Sequence, residues 1–316
     1  MGGGVRADVP ALVDAAVKRL RASLHWLGDE LNFTLTNRIP RNLLTVLMGR
    51  FSRIESPRLA AASIAIWRRF SDLDLSDAKT RAFASLHECF TRELVDGARP
   101  FDADPAMLAS PCDSIVGACG RIEGRTLLQA KRSSYALDDL LCDMRLADHY
   151  AGGSYATLRL KADMYHRFHA PTGGRIQSVT YVAGDAWNVN PPALARMRRL
   201  FCRNERAVIP LHLAPGGPTI ALVPVAAILV ASIRFTFIDV RLHLRYRGPN
   251  PIRCDARVRK GETLGWFEHG STLIVLAPRG FELAAGVAEG ARLRAGQALM
   301  QRIAAGHGRS ATDAPA

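Results

Sequence analysis

The chain has 316 residues, a hydrophobic fraction of 48% and a formal charge of +13. That length and apolar content exclude a disordered polymer and allow one large or two medium folded domains. The positive surplus calls for an anionic partner, nucleic acid or a negatively charged membrane surface; with 7% aromatic residues and no stacking face or recognition helix, nucleic acid is set aside.

In chain order, Asp8 as N-cap, Pro10 in the first turn and the stripe Val13, Val17, Leu20, Leu24, Leu27, Leu31 predict an amphipathic helix. Lys18, Arg19 and Arg21 fall off the stripe, as on a helix lying in an anionic headgroup layer, although a stripe packed on the protein's own core or on a second subunit reads the same way. A second segment follows Pro40, with Leu43, Leu44, Leu47, Met48 and Phe51 among Arg41, Arg50 and Arg53, and a third runs from Leu59 to Phe70. Over residues 1 to 70, eleven Lys or Arg against five Asp or Glu are interleaved with these apolar positions, which favours a membrane surface.

From about residue 100 the texture changes to short apolar runs punctuated by Gly and Pro. Ser114 to Gly120, Ser154 to Leu160 and Gln177 to Val182 read as strands. The long uncharged stretch Ala207 to Ile233 is broken by Pro210, Pro215, Pro218 and Pro224, so it reads as buried strands and not as a membrane span, with Ile220 to Val223 and Ala227 to Phe237 separated at Pro224. Arg245 to Arg259 reads as an Arg-rich surface loop, and Gly265 to Leu276 returns the chain to the sheet. The fold class expected is α+β: a helical, membrane-associating region over residues 1–80 and a mainly β catalytic domain over 81–316.

Six scattered cysteines without a C-x-x-C pair read as reduced thiols in a cytosolic compartment, no secretory signal pattern is present, and no metal site is expected. The chemistry-bearing candidates are few. Gly270-Ser271-Thr272 lies between the apolar runs Leu264 to Phe267 and Leu273 to Leu276, where a serine hydroxyl can attack backwards on the unshielded Gly270 carbonyl. Such a serine needs a base and something to orient it. His166 and His169 in Tyr165-His166-Arg167-Phe168-His169-Ala170-Pro171 offer the base; Asp113 in Ser110-Pro111-Cys112-Asp113-Ser114 is a carboxylate that can hold a histidine tautomer.

These segments resemble phosphatidylserine decarboxylases. Phe90-Thr91-Arg92-Glu93-Leu94 with Gly97-Ala98-Arg99-Pro100, the Ser110–Asp113 and Tyr165–Pro171 segments, Val189-Asn190-Pro191, Asn204-Glu205-Arg206, and Lys260-Gly261-Glu262 running on to Ser271-Thr272 occur in that family's order. Ser114 stands where the family commonly has glycine, and His269 where it commonly has an apolar residue.

The resemblance implies that Ser271 becomes a covalent pyruvoyl cofactor, by cleavage between Gly270 and Ser271 into a β chain of residues 1–270 and an α chain of residues 271–316. It implies His169 as the base activating Ser271, Asp113 as its orienting group and His166 as a helper in decarboxylation. The substrate amine would form a Schiff base with the pyruvoyl group, which takes up the electrons released with carbon dioxide. The implied activity is conversion of phosphatidylserine to phosphatidylethanolamine by an enzyme lying peripherally on the cytoplasmic face of the cell membrane, in contact with anionic phospholipid. A homo-oligomer stays open. Two alternatives also stay open: a pyruvoyl decarboxylase acting on another amine-bearing acid, and a serine hydrolase using Ser271, His169 and Asp113 without self-cleavage.

Overall fold

A computed structural model of the chain describes residues 41–130, 133–214, 216–227, 232–243, 246–268 and 271–303. The helix expected over residues 8–31 lies outside the described residues, as do His269 and Gly270. The described helices are α1 (Arg41–Ser52), α2 (Pro57–Phe70), α3 (Leu86–Phe90), α4 (Leu137–Leu141), α5 (Met144–Tyr150), α6 (Pro191–Arg196) and α7 (Leu200–Arg203). The strands are β1 (Met107–Ala109), β2 (Ser114–Arg121), β3 (Thr126–Ala130), β4 (Ser133–Ala136), β5 (Ser154–Leu160), β6 (Arg167–His169), β7 (Gly174–Val182), β8 (Arg206–His212) and β9 (Thr219–Ala226). They continue as β10 (Ser232–Phe235), β11 (Arg241–His243), β12 (Ile252–Val258), β13 (Thr263–Phe267), β14 (Ser271–Ala277), β15 (Phe281–Leu283), β16 (Arg292–Leu293) and β17 (Ala298–Arg302).

The architecture is α+β and mainly β. An antiparallel sheet in the order β12-β7-β8-β9-β14-β5-β2-β16 forms its centre, and a smaller sheet, β11-β10-β13-β6, packs on one face. Leu158, Leu273 and Val275 from the large sheet meet Phe168, Phe235 and Phe267 from the small one in a single core. The opposite face is covered by α4 to α7, through residues such as Leu140, Tyr150, Leu194 and Phe201 against Val223, Ile274 and Leu276. Covering both faces explains why β9 and β14 are buried at every position and read as continuous apolar runs without alternation.

Two expectations are corrected. Pro224 does not end a strand: β9 runs through it, with Pro224 opposite Leu273 in β14. The ladder to β8 keeps one register from Arg206–Val225 to Ile209–Leu222, which sets Pro224 opposite Ala207, but no pair forms there: the missing N–H forgoes one bond to β8 while β14 holds β9 from the other side. The Arg-rich segment is not all loop. Ile252 and Val258 bury their side chains while Arg253, Asp255 and Arg257 point to solvent, the alternation of an edge strand paired to β7.

The chain leading into this body is helical. Ser56 caps α2 by accepting from the Leu59 N–H at 3.5 Å, and Pro57 occupies the first turn. Ile64 of α2 joins Leu73, Ala78, Phe83 and Cys89 in a small separate core.

Candidate active site

Ser271 is the first residue of β14. Its neighbours across the sheet are Ala226 of β9 and Leu160 of β5, so its backbone is held from both sides. The side chain is 1% exposed, and among the described residues its Oγ has no hydrogen-bond partner. Buried hydroxyls are ordinarily satisfied, and those of Ser114, Thr157 and Thr272 are open too, so it is the place of Ser271 on a cavity at the head of β14 that sets it apart. Ser271 lines a cavity of about 690 Å³. Met48 and Phe51 of α1, Ile66 and Trp67 of α2, and Leu86 and Phe90 of α3 wall it, with Arg159, Lys161, Asn188 and Asn190 among its polar lining residues.

His166 and His169 sit at opposite ends of a short strand. The His166 carbonyl accepts the Phe267 N–H at 3.1 Å, which places it at the Ser271 end of the β6–β13 pair. Its Nδ1–H donates to the Met164 carbonyl at 2.8 Å, so Nε2 is the basic nitrogen. The imidazole is fully buried, and its ring centre is 3.9 Å from that of Phe90. His169 lies opposite Thr263, three residues and roughly 10 Å further along β6. Its Nδ1–H donates to the Gly261 carbonyl at 2.9 Å and its Nε2 accepts from the Tyr165 hydroxyl at 3.1 Å. Burial lowers the His169 pKa below 6.5, partly offset by the Gly261 carbonyl and the Asp113 charge, so the ring is a neutral base at pH 7. Burial likewise pushes the Tyr165 hydroxyl up to about 12, keeping it protonated as a donor.

Asp113 departs from the expected arrangement. Its carboxylate takes the Arg99 fork at 2.8 and 2.6 Å and the Ala295 N–H at 2.9 Å, and the His169 tautomer is fixed by Gly261 instead. The reason is local. Arg99 also holds Asp77, and a bidentate guanidinium outcompetes a neutral imidazole for a carboxylate. Asp113 therefore acts on His169 through its field. It lines a second, polar cavity of about 360 Å³, where Ser114 also lies, and Lys161 lines both cavities.

The sequence blocks assemble in space. The His169 N–H donates to the Pro111 carbonyl at 2.8 Å, and Ala170 exchanges backbone bonds with Gly261 and Glu262, so the Ser110–Asp113, His166–Pro171 and Lys260–Glu262 segments converge. Arg206 is buried to 1% exposure, its guanidinium satisfied by the Leu140, Cys202, Asn204 and Asp139 carbonyls.

Glu205 was not singled out from sequence. Its carbonyl accepts the Ala226 N–H at 2.8 Å, and Ala226 is Ser271's partner, so Glu205 stands two strands from Ser271. Alternation puts Glu205 on the face of Ala207 and Ile209, and Ser271 on the face of Leu273 and Val275, which is the same core. The carboxyl is fully buried, and among the described residues neither oxygen has a hydrogen bond of good geometry. Burial pushes its pKa up to about 8, slightly offset by the Tyr181 hydroxyl, so at neutral pH it is a neutral acid. Its only sequence signal was membership of the Asn204-Glu205-Arg206 block.

Among the described residues no three His, Cys, Asp or Glu side chains gather as a metal ion requires, and no helix is long and apolar enough to cross a membrane.

A β core that presents a buried serine at a strand mouth, facing an apolar cavity, with His166 at the near end and His169 at the far end of the neighbouring β6–β13 pair, is the layout of an enzyme. Comparison with known proteins gives the class. The family model for phosphatidylserine decarboxylase matches residues 86–301. A phosphatidylserine decarboxylase proenzyme from Anaeromyxobacter sp. (strain K) is 37% identical over 286 residues, covering 86% of this chain and 99% of that protein. The one from Halorhodospira halophila is 36% identical over 289 residues, with 89% and 93% covered, and the one from Brevibacillus brevis is 33% identical over 282 residues, with 88% and 100% covered. This chain belongs to the phosphatidylserine decarboxylase family.

Proposed function

We infer that this chain is a carboxy-lyase that converts phosphatidylserine to phosphatidylethanolamine on a group it makes from its own Ser271. The observation that carries the reading is the buried, unpartnered Ser271 Oγ at the mouth of β14, opening on an apolar cavity. Attack of that oxygen on the Gly270 carbonyl converts the peptide to an ester; elimination and hydrolysis then leave a pyruvoyl group at the head of an α chain of residues 271–316, separated from a β chain of residues 1–270. The residues present fit such a group, because position 271 has no competing polar contact among the described residues and space in front of it. Once formed, the group supplies a carbonyl that withdraws electrons as carbon dioxide leaves.

The chain's own residues divide the remaining work. His169, neutral and fixed in one tautomer, is assigned as the base for the processing step, with Asp113 and Tyr165 shaping its environment. His166, at the Ser271 end of the strand, is assigned to proton handling during decarboxylation. The cavity walls formed by α1, α2 and α3 receive the lipid chains.

The same helices supply the approach to the membrane. Leu47, Phe51, Ile54, Leu59, Ile66 and Phe70 are exposed large apolar side chains, and Phe70 is 83% exposed. Arg50, Arg53, Arg58, Arg68 and Arg69 are interleaved with them, the pattern of a peripheral surface that enters an anionic headgroup layer. The division at residue 80 follows from this: the helical region faces the lipid and residues 81–316 carry the chemistry. Placement on the cytoplasmic face of the cell membrane belongs to the same proposal.

Intact mass of the purified protein tests the reading. Two chains are expected, the smaller beginning at residue 271 and blocked to N-terminal sequencing, and borohydride with an added amine should fix an adduct on it. One uncut chain of 34.4 kDa with hydrolytic activity would instead support a serine hydrolase.

A further inference from the structure

Glu268 lies three residues before Ser271 and is held from four elements. Its carboxylate meets Arg53, just beyond α1, at 2.5 Å, and accepts a short hydrogen bond from the Ser232 hydroxyl of β10. Arg241 of β11 and His87 of α3 each approach to 3.9 Å. The backbone is held too, since the Glu268 N–H donates to the Ser232 carbonyl at 3.3 Å. Glu268 is 5% exposed. Burial pushes its pKa up, but the Ser232 hydroxyl and the charges of Arg53, Arg241 and His87 outweigh it and leave the carboxyl below its ordinary value, hence ionised.

We propose that Glu268 and Arg53 are positioning residues for self-cleavage, fixing the upstream end of the scissile segment as the pairing of β14 fixes the downstream end. The proposal rests on the reading that the chain splits between residues 270 and 271. Ser271 is clamped between Leu160 and Ala226, and Glu268 is clamped by the collar, so only residues 269 and 270 are strung between two fixed points. An attack of a side chain on its own preceding carbonyl depends on that short bridge being held close to a reactive conformation, and small misplacements in such geometry are costly in rate. Arg53 suits the task. Its Nη1 donates to the Gly49 carbonyl at 2.9 Å, which fixes the guanidinium against the end of α1 while its other arm reaches Glu268. Glu268 is enclosed but Arg53 is 37% exposed, and a pair of this kind adds little net stability; its use is to specify geometry. The helix that walls the lipid cavity is thereby tied to the segment that must be cut.

The test follows chain splitting over time by intact mass in freshly synthesised full-length protein, alongside thermal melting. Arg53→Ala and Glu268→Gln are each expected to slow splitting about tenfold or more, beyond what any fall in melting temperature accounts for, and Arg53→Lys to stay within about threefold of wild type. The double variant Arg53→Ala/Glu268→Gln should be no slower than the slower single one, because the two residues act as one unit. Wild-type splitting rates in the single variants, additive effects in the double, or slowing that merely follows a loss of melting temperature would overturn the proposal. A wild type that stays one chain overturns the reading of Ser271, and with it the reason for the collar.

Discussion

The phenyl ring of Phe90 stands 3.9 Å from the imidazole of His166 and lines the same cavity as Ser271. The ring also stacks on Trp67 of α2 at 5.9 Å, so one side chain joins α2 to the histidine. Phe90→Leu keeps an apolar wall but removes the flat surface that fixes the imidazole. It is expected to split into two chains normally while kcat falls about tenfold and KM for vesicle-borne lipid changes little. Loss of splitting together with turnover would assign the ring to folding alone.

With His169 as the proposed base, its titration should set the acid limit of processing. Its pKa is lowered by burial, so the neutral base persists below pH 6.5 and is lost only as the pH falls through that lowered value. Splitting rate measured against pH should therefore show its acid midpoint below 6.5; a midpoint at or above 6.5 contradicts the assignment. His169→Gln is expected to remain a single chain, whereas His166→Gln is expected to split and fail to turn over.

Arg99 and Asp113 form a pair whose side chains are 11% and 13% exposed, and Asp113 accepts nothing from a histidine. Removing one partner of such a pair leaves a largely buried charge and costs about 3–5 kcal/mol. Arg99→Leu should accordingly lower the melting temperature sharply, and Arg99→Leu/Asp113→Leu should recover part of the loss. An Arg99→Leu protein that melts like wild type would show that water satisfies Asp113 instead.

The parts legible in the sequence are those where one local rule decides. Ser154 to Leu160 is a strand as expected, and Ser56-Pro57 starts the helix that ends at Phe70. The misread parts depend on partners far away in the chain. Pro224 looks like a strand breaker until β14, pairing β9 without a gap from Ala221 to Ala226, is seen to hold it from the other side. Arg253 and Arg257 look like loop charges until β7 makes them the outward face of an edge strand. Ser271, His166, His169 and Asp113 are candidates that short motifs single out. Which of them touch was not readable, because the competition of Arg99 for Asp113 and of Gly261 for His169 is settled only by packing. Glu268 carried no sequence signal, since its partners lie 27 to 215 positions away, as with Arg53 at the far end.

Glu205 offers a stability test independent of catalysis. Its carboxyl, ordinarily near 4.5, is pushed up to about 8 by burial, which the Tyr181 hydroxyl offsets only slightly. Between these two values the unfolded chain gives up a proton that the folded chain keeps. The folded state then binds more protons, so stability is full below pH 4.5 and falls as pH rises, by about 1.4 kcal/mol per unit. The loss is on the order of 5 kcal/mol and is complete once the pH passes the folded value near 8. Glu205→Gln keeps the size and a polar head but cannot ionise. Denaturant unfolding at pH 5 and at pH 8 should show the wild type losing several kcal/mol relative to the variant over that interval, the other carboxyl groups cancelling because both proteins share them. Parallel curves for the two proteins would mean that Glu205 finds a compensating partner in solution. In that case its nearness to Ser271, through Ala226, places no uncharged acid beside the serine.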